Sequence, residues 1–204
     1  LSWSGYADYK DMWTVDVFDI FNDSYGVKKN NISKEYIESS EKLKSTNRDN
    51  IIGIQSQIWS ETIRNENILD YMFMPNIIVF SQKAWSKDPK WMSIQDQTER
   101  EITLNYEWNK FTNSIGQRVL PIVENIYGGL TYDLPKPGGI IKNDSLYANT
   151  AFPGLNIKYT LDGSLPNIES MNYNNPVEID QDDVIYLRLF DNKGRGGYPI
   201  QVDK

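Results

Sequence analysis

The sequence contains neither cysteine nor histidine. Ser-His and Cys-His nucleophilic catalysis, zinc sites built on imidazole or thiolate, and disulfides are thereby excluded. Chemistry at a site would have to rest on carboxylates and aromatic rings, and neither a metal nor another cofactor is expected. The missing cysteine does not fix a compartment, because a domain of this size builds a core without covalent staples. No uninterrupted apolar run approaches the roughly 20 residues of a membrane helix. Leu1-Ser2-Trp3-Ser4-Gly5 also lacks the basic start and apolar centre of a signal peptide. Membrane insertion is therefore not expected. Basic clusters are missing too: Lys and Arg are scattered and the formal net charge is −7, so the chain carries no electrostatic footprint for nucleic acid.

What is present is a globular balance of apolar and charged residues over 204 positions, with 13 % aromatics. The six Trp residues all fall between positions 3 and 108, which divides the chain into a Trp-bearing part and a remainder with Tyr and Phe only. Residues 1–30 mix aromatics with Asp and Gly at no steady period and read as a long structured loop. Ser33 is a plausible N-cap for a short surface helix over 33–44. Ile51-Ile52-Gly53-Ile54, β-branched and uncharged, predicts a strand covered on both faces. The following stretch from Asn67 to Trp85 is apolar nearly all round, which predicts a buried helix kinked at Pro75. Strand and helix together would form one β/α unit.

From Gln97 to Gly116, Leu104, Trp108, Phe111 and Ile115 recur at helical spacing, so a second, amphipathic helix is expected to stop near Gly116. Tyr132-Asp-Leu-Pro-Lys-Pro-Gly-Gly139 concentrates Pro and Gly as linkers do, which places a domain boundary between residues 132 and 133. Beyond it the pattern is β. Leu155 to Leu161 alternate and end at the turn signal Asp162-Gly163, Val177 and Ile179 mark a short strand, Val184 to Phe190 a longer one, and Asp191-Asn-Lys-Gly194 a turn before Tyr198 to Val202. Short strands at this spacing suggest a small sandwich.

The run Ile51-Ile-Gly-Ile-Gln-Ser-Gln-Ile-Trp-Ser-Glu61 resembles the final barrel strand of glycoside hydrolase family 20 β-N-acetylhexosaminidases of the chitobiase-like kind, of the form I-I-G-x-Q-x-x-L-W-S-E. Asp70-Tyr-Met-Phe-Met-Pro75 and Ala84-Trp85 resemble the family's next helix, although Lys83 stands where Arg is usual. Trp108-Asn-Lys-Phe-Thr-Asn-Ser-Ile-Gly-Gln117 is similar to the helix after that. Leu134-Pro-Lys-Pro-Gly138, Phe152-Pro-Gly-Leu155, Tyr159-Thr-Leu-Asp-Gly163 and Ile185 to Arg195 resemble the chitobiase C-terminal domain. Trp3-Ser-Gly-Tyr-Ala-Asp8 is similar, less sharply, to the loop before the last strand.

The resemblance implies an α/β part followed by an all-β part: the last β/α segment of an incomplete (β/α)8 TIM barrel over residues 1–132, and a small immunoglobulin-like β-sandwich over 133–204. It implies a glycoside hydrolase as parent protein, acting on glycans that end in β-linked N-acetylhexosamine, in which the substrate's acetamido oxygen takes the nucleophile's place. The family's adjacent Asp-Glu pair does not occur in this sequence, and a complete barrel needs about 250 residues. The chain alone is therefore expected to be inactive, with the remainder of the barrel encoded upstream. The family's bacterial members suggest a periplasmic or secreted location.

Six residues are candidates for sugar contact. By resemblance Trp59 stacks on the bound ring and Glu61 accepts hydrogen bonds from its hydroxyls. Both also admit a plain reading, Trp59 as core and Glu61 as a helix cap. Trp108 resembles an aglycone-side Trp, yet lies on the apolar stripe of its own helix. Trp3, Tyr6 and Asp8 sit in a loop that could border the pocket or simply pack. Asp180, Asp182 and Asp183 lack the spacing of a calcium loop, and the Asn-x-Ser sites at Asn22, Asn31 and Asn143 are common by chance in an Asn-rich chain. A noncatalytic carbohydrate-binding or interaction module is the alternative to the hydrolase reading.

Overall fold

The computed structural model describes residues 8–19, 21 and 32–203. Contacts divide the chain into two compact units, Leu1–Trp108 and Asn109–Lys204. The division falls inside a helix, upstream of the Pro/Gly-rich stretch at which composition alone places a boundary.

The first unit is helical among its described residues. Helix α1, Tyr9–Thr14, begins at Asp8, whose carboxylate accepts from the backbone N–H groups of Lys10 and Asp11 and so satisfies donors that a helix start leaves open. Helix α2, Lys34–Ser39, is capped by Ser33 as expected. It ends sooner than the sequence suggests, because the Ser39 and Ser40 hydroxyls both donate to the Tyr36 carbonyl and compete with continuation of the helix. Helix α3, Glu66–Phe73, is capped by Asn65. Met74-Pro75 separates it from α4, Asn76–Trp85, so the kink expected at Pro75 is a complete break.

Two expectations in this unit are corrected. Residues 51–60 form no strand, and Ile52 is 99 % exposed. A strand buried on both faces needs ladder partners on its sides, and among the described residues the first strand begins only at Gly138. The 67–85 segment is likewise only part-covered: Leu69 and Phe73 are exposed and Trp85 is 90 % exposed. The core of the unit is instead small and aromatic, with Trp13, Val79, Trp91 and Leu104 buried where α1 packs on α4.

Helix α5, Gln97–Ser114, does not stop at Gly116. It runs on through a π-helical turn, Ile115–Val119, into the short helix α6, Leu120–Val123. Gly116 serves a different purpose: a Cβ there would overlap the Pro153 carbonyl, and one on Gly154 would come within 3.1 Å of the Gly116 carbonyl oxygen. Helix and turn touch backbone to backbone, and a side chain on either residue would separate them.

The second unit is completed by two antiparallel sheets. Strands β1 (Gly138–Lys142), β2 (Ser145–Asn149) and β5 (Val177–Glu178) form one in the order β1-β2-β5, and β3 (Asn156–Thr160), β4 (Met171–Asn172), β6 (Ile185–Phe190) and β7 (Ile200–Val202) the other in the order β4-β3-β6-β7. The sheets face each other at Gly139, where a Cβ would meet Leu187 and Val202 at 2.7 Å. Leu146, Ile157, Tyr159, Ile185, Leu187 and Leu189 fill the space between them. The β1–β2 hairpin turns on Asn143 and Asp144, both at positive φ (48° and 55°), the twisted two-residue turn that Asn and Asp tolerate best.

Candidate functional site

Trp3 and Tyr6 lie outside the described residues. The other four candidates occupy three settings. Asp8 is exposed, and its carboxylate caps α1. That engagement gives the side chain a structural role on its own helix.

Trp108 stands on α5 against α1. Its ring centroid lies 5.4 Å from that of the buried Trp13, which in turn lies 6.2 Å from the fully buried Trp91. Tilted indoles at these separations attract one another beyond the area they bury. Beside them the Lys10 ammonium donates to Asn105 Oδ1 at 2.8 Å. Burial holds Lys10 below the ordinary lysine range, while the carboxylates of Asp8 and Glu101 pull in the opposite direction. The structure thus brings Asp8 and Trp108 onto neighbouring helices that are tied together by packing. Sequence alone left Trp108 divided between site and stripe; its ring is part of an aromatic cluster.

Trp59 and Glu61 stand on the open 51–61 stretch. Trp59 is 57 % exposed and Glu61 is exposed in the turn closed by the Ile63 N–H to Ser60 carbonyl bond. Within the described chain the indole is open to solvent, and the cap of the following helix is Asn65, four residues beyond Glu61. Both side chains are free to present an aromatic face and a carboxylate to a ligand.

A cleft beside Trp13, lined also by Gln82, Lys83, Ser86 and Lys87, has a volume of about 50 Å³. Ligand pockets run to several hundred Å³, so it is too small for a sugar ring. Among the described residues no cluster of carboxylates could hold a metal ion, and no helix is long and apolar enough to cross a membrane.

The second unit carries a buried polar network that the sequence did not flag. Glu124, past the end of α6, accepts from the Tyr132 hydroxyl at 2.6 Å and from Asn192 Nδ2 at 3.1 Å. Arg195 donates through Nη1 to the Tyr132 carbonyl at 2.6 Å and through Nε to Asp191 at 3.0 Å, and its guanidinium lies 4.6 Å from the Tyr132 ring centroid. Burial, and then the Glu124 carboxylate, push the Tyr132 hydroxyl far above the ordinary tyrosine range. With every carboxylate here engaged, the network fastens the 124–134 segment to the loop after β6 and leaves no group poised for catalysis.

Comparison with known proteins divides along similar lines. Residues 5–88 match the model described as glycosyl hydrolase family 20, catalytic domain, and residues 124–197 match the chitobiase/beta-hexosaminidase C-terminal domain. An N,N'-diacetylchitobiase of Vibrio harveyi is 34 % identical over 120 residues, 54 % of this chain. A beta-hexosaminidase of Vibrio vulnificus is 33 % identical over 128 residues, 55 % of this chain. The matches span only 13 % and 15 % of those relatives' own lengths. Trp59, Glu61 and Asp8 fall within the first matched stretch, Trp108 between the two, and the polar network within the second.

Proposed function

We propose that this chain, which carries sequence of the glycoside hydrolase family 20 hexosaminidases in both of its units, is the C-terminal part of a β-N-acetylhexosaminidase. It would contribute one wall of the sugar pocket to a catalytic centre completed elsewhere. The observation that carries this reading is the pairing of the two family matches, catalytic domain first and hexosaminidase C-terminal domain second, with Trp59 and Glu61 exposed inside the first.

In this reading residues 51–61 become the last strand of a (β/α)8 barrel once neighbouring strands supply its ladder, and the two facing sheets are an immunoglobulin-like sandwich. The exposure of Ile52 and the lack of any strand ladder over residues 51–60 among the described residues support the first point, since an uncharged β-branched run of this kind awaits strands on its sides. At the C-terminal end of such a strand, where barrel enzymes place their chemistry, the Trp59 ring would stack on the pyranose C–H face and Glu61 would accept from a ring hydroxyl. The substrate would be a glycan ending in β-linked N-acetylhexosamine, whose own acetamido oxygen attacks the anomeric carbon while an acid outside this chain protonates the leaving oxygen. A periplasmic or secreted location goes with this proposal on the family resemblance alone.

The test is hydrolysis of 4-nitrophenyl N-acetyl-β-D-glucosaminide by this chain alone and by the full gene product. Activity is expected only in the latter. A charged hydrogen bond contributes about 1.5–3 kcal/mol, so Glu61→Ala is expected to lower kcat/KM by roughly ten- to a hundred-fold. Hydrolysis by this chain alone would overturn the assignment of the acid to another segment, and an inactive gene product would favour a noncatalytic carbohydrate-binding module.

A further inference from the structure

The outer face of the β1–β2–β5 sheet carries a groove of about 310 Å³ lined by Gly138, Gly139, Ile140, Tyr147, Ala148 and Asn149. We infer that it is a second saccharide-binding site, separate from Trp59 and Glu61, that takes a short stretch of the neutral glycan on which the protein acts. The identity of the glycan rests on the hexosaminidase reading; the site itself rests on the groove.

Register sets the lining. In the antiparallel β1–β2 pair, Ile140 stands opposite Tyr147 and Gly138 opposite Asn149. Alternation along both strands puts these four positions on one face, while Ile141 and the fully buried Leu146 turn to the other. Ile140 and Tyr147 are 52 % and 42 % exposed. An aromatic ring is therefore held half-open on a paired strand, braced by an aliphatic neighbour.

The glycines shape the rest. A Cβ on Gly138 would overlap Asn149 Oδ1, so the Asn149 amide lies across the strand over a residue that has no side chain and would have to swing away if one were added. The floor of the groove is bare backbone. At one end a ring face and an isoleucine offer apolar contact; at the other an amide offers both a donor and an acceptor.

None of the six lining residues carries a charge, which disfavours a phosphate, a carboxylate or an ammonium group as ligand. A flat ring beside an amide suits a ligand with one C–H face and a hydroxylated edge, and a pyranose is that ligand. The volume lies at the small end of the range for ligand pockets, enough for a short saccharide. An open groove with one ring and one amide should bind weakly, with a Kd on the order of 1 mM. Such a site would raise the residence of the protein on a polymeric substrate without doing chemistry.

Backbone amide spectra of the whole 204-residue chain titrated with N,N'-diacetylchitobiose to about 10 mM, ten times that Kd, test the site. Perturbed amides are expected within 138–149. Tyr147→Ala is expected to weaken the response at least tenfold and Tyr147→Phe to retain it, because stacking needs the ring and not its hydroxyl. Dispersion of the β3 and β6 amides reports that each variant is folded. No response within 138–149, or an unchanged response in Tyr147→Ala, overturns the proposal. The readout is binding and the enzyme test above reads hydrolysis, so failure of either one is distinguishable from failure of the other.

Discussion

The Tyr132 hydroxyl donates to Glu124 Oε1 at 2.6 Å, with both side chains buried. Glu124 also accepts from Asn192, 68 positions further along. A carboxylate out of water is tolerated only where donors satisfy it, so these bonds fix where the 124–134 segment meets the β6–β7 loop. Removing a partner leaves a buried acceptor short of a donor.

Tyr132→Phe therefore has two expected consequences. At neutral pH the variant should be less stable by about 1–3 kcal/mol, the cost of an unsatisfied buried group, measured by urea unfolding. The second consequence concerns alkaline pH. Tyr132 is raised above its ordinary value of 10.0, chiefly by burial and then by Glu124. Above pH 10 the unfolded chain releases this proton while the folded one keeps it, so stability is complete below pH 10 and falls as pH rises beyond it. The fall attributable to Tyr132 approaches about 1.4 kcal/mol per pH unit. The stability difference between the native chain and Tyr132→Phe should therefore shrink from pH 10 upward. A constant difference would show that Tyr132 ionises at its ordinary value in the folded protein.

Gly116→Ala is expected to destabilise the second unit by about 1–3 kcal/mol, as overpacking does in a filled core. The methyl would be driven into the Pro153 carbonyl beside the fully buried Phe152. Helix propensity pulls the other way, since Ala is favoured over Gly inside a helix by about 1 kcal/mol. A net loss in denaturant unfolding would show that close approach outweighs propensity at this position; a net gain would show that the 152–154 turn gives way.

The same glycine shows what the sequence made legible. A Gly at the end of an apolar stripe reads as a helix stop, and only the contact with residues 152–154, distant in sequence, reveals its use as a meeting point. Strands whose signal is local came through: β6 alternates from Ile185 to Leu189, and Gly163 and Gly194 sit at positive φ where the turn signals lay. The β1–β2 hairpin was missed because Asn143-Asp144 turns without glycine. The 51–54 run failed differently. Its composition asks for neighbours on both sides, and pattern along one segment says nothing about whether the described chain supplies them. Trp59 and Glu61 are candidates through a motif along one segment, whereas the proposed Tyr147 groove depends on cross-strand register, and the Glu124 network joins residues up to 68 positions apart.

The Trp residues separate packing from recognition by experiment. Trp13 is buried between Trp91 and Trp108, so Trp13→Ala should cost about 3–5 kcal/mol, the usual range for a large aromatic removed from a core. Trp59 is more than half exposed, and Trp59→Ala should stay within about 0.5 kcal/mol of the native chain, as surface changes do. Trp108 is half-buried against Trp13 and should fall between them. Thermal unfolding followed by far-ultraviolet circular dichroism measures all three. If Trp59→Ala proves as costly as Trp13→Ala, the indole is packed and the case for its facing a sugar is lost. If it is neutral in stability yet lowers kcat/KM of the full gene product, the ring is spent on the ligand and not on the fold.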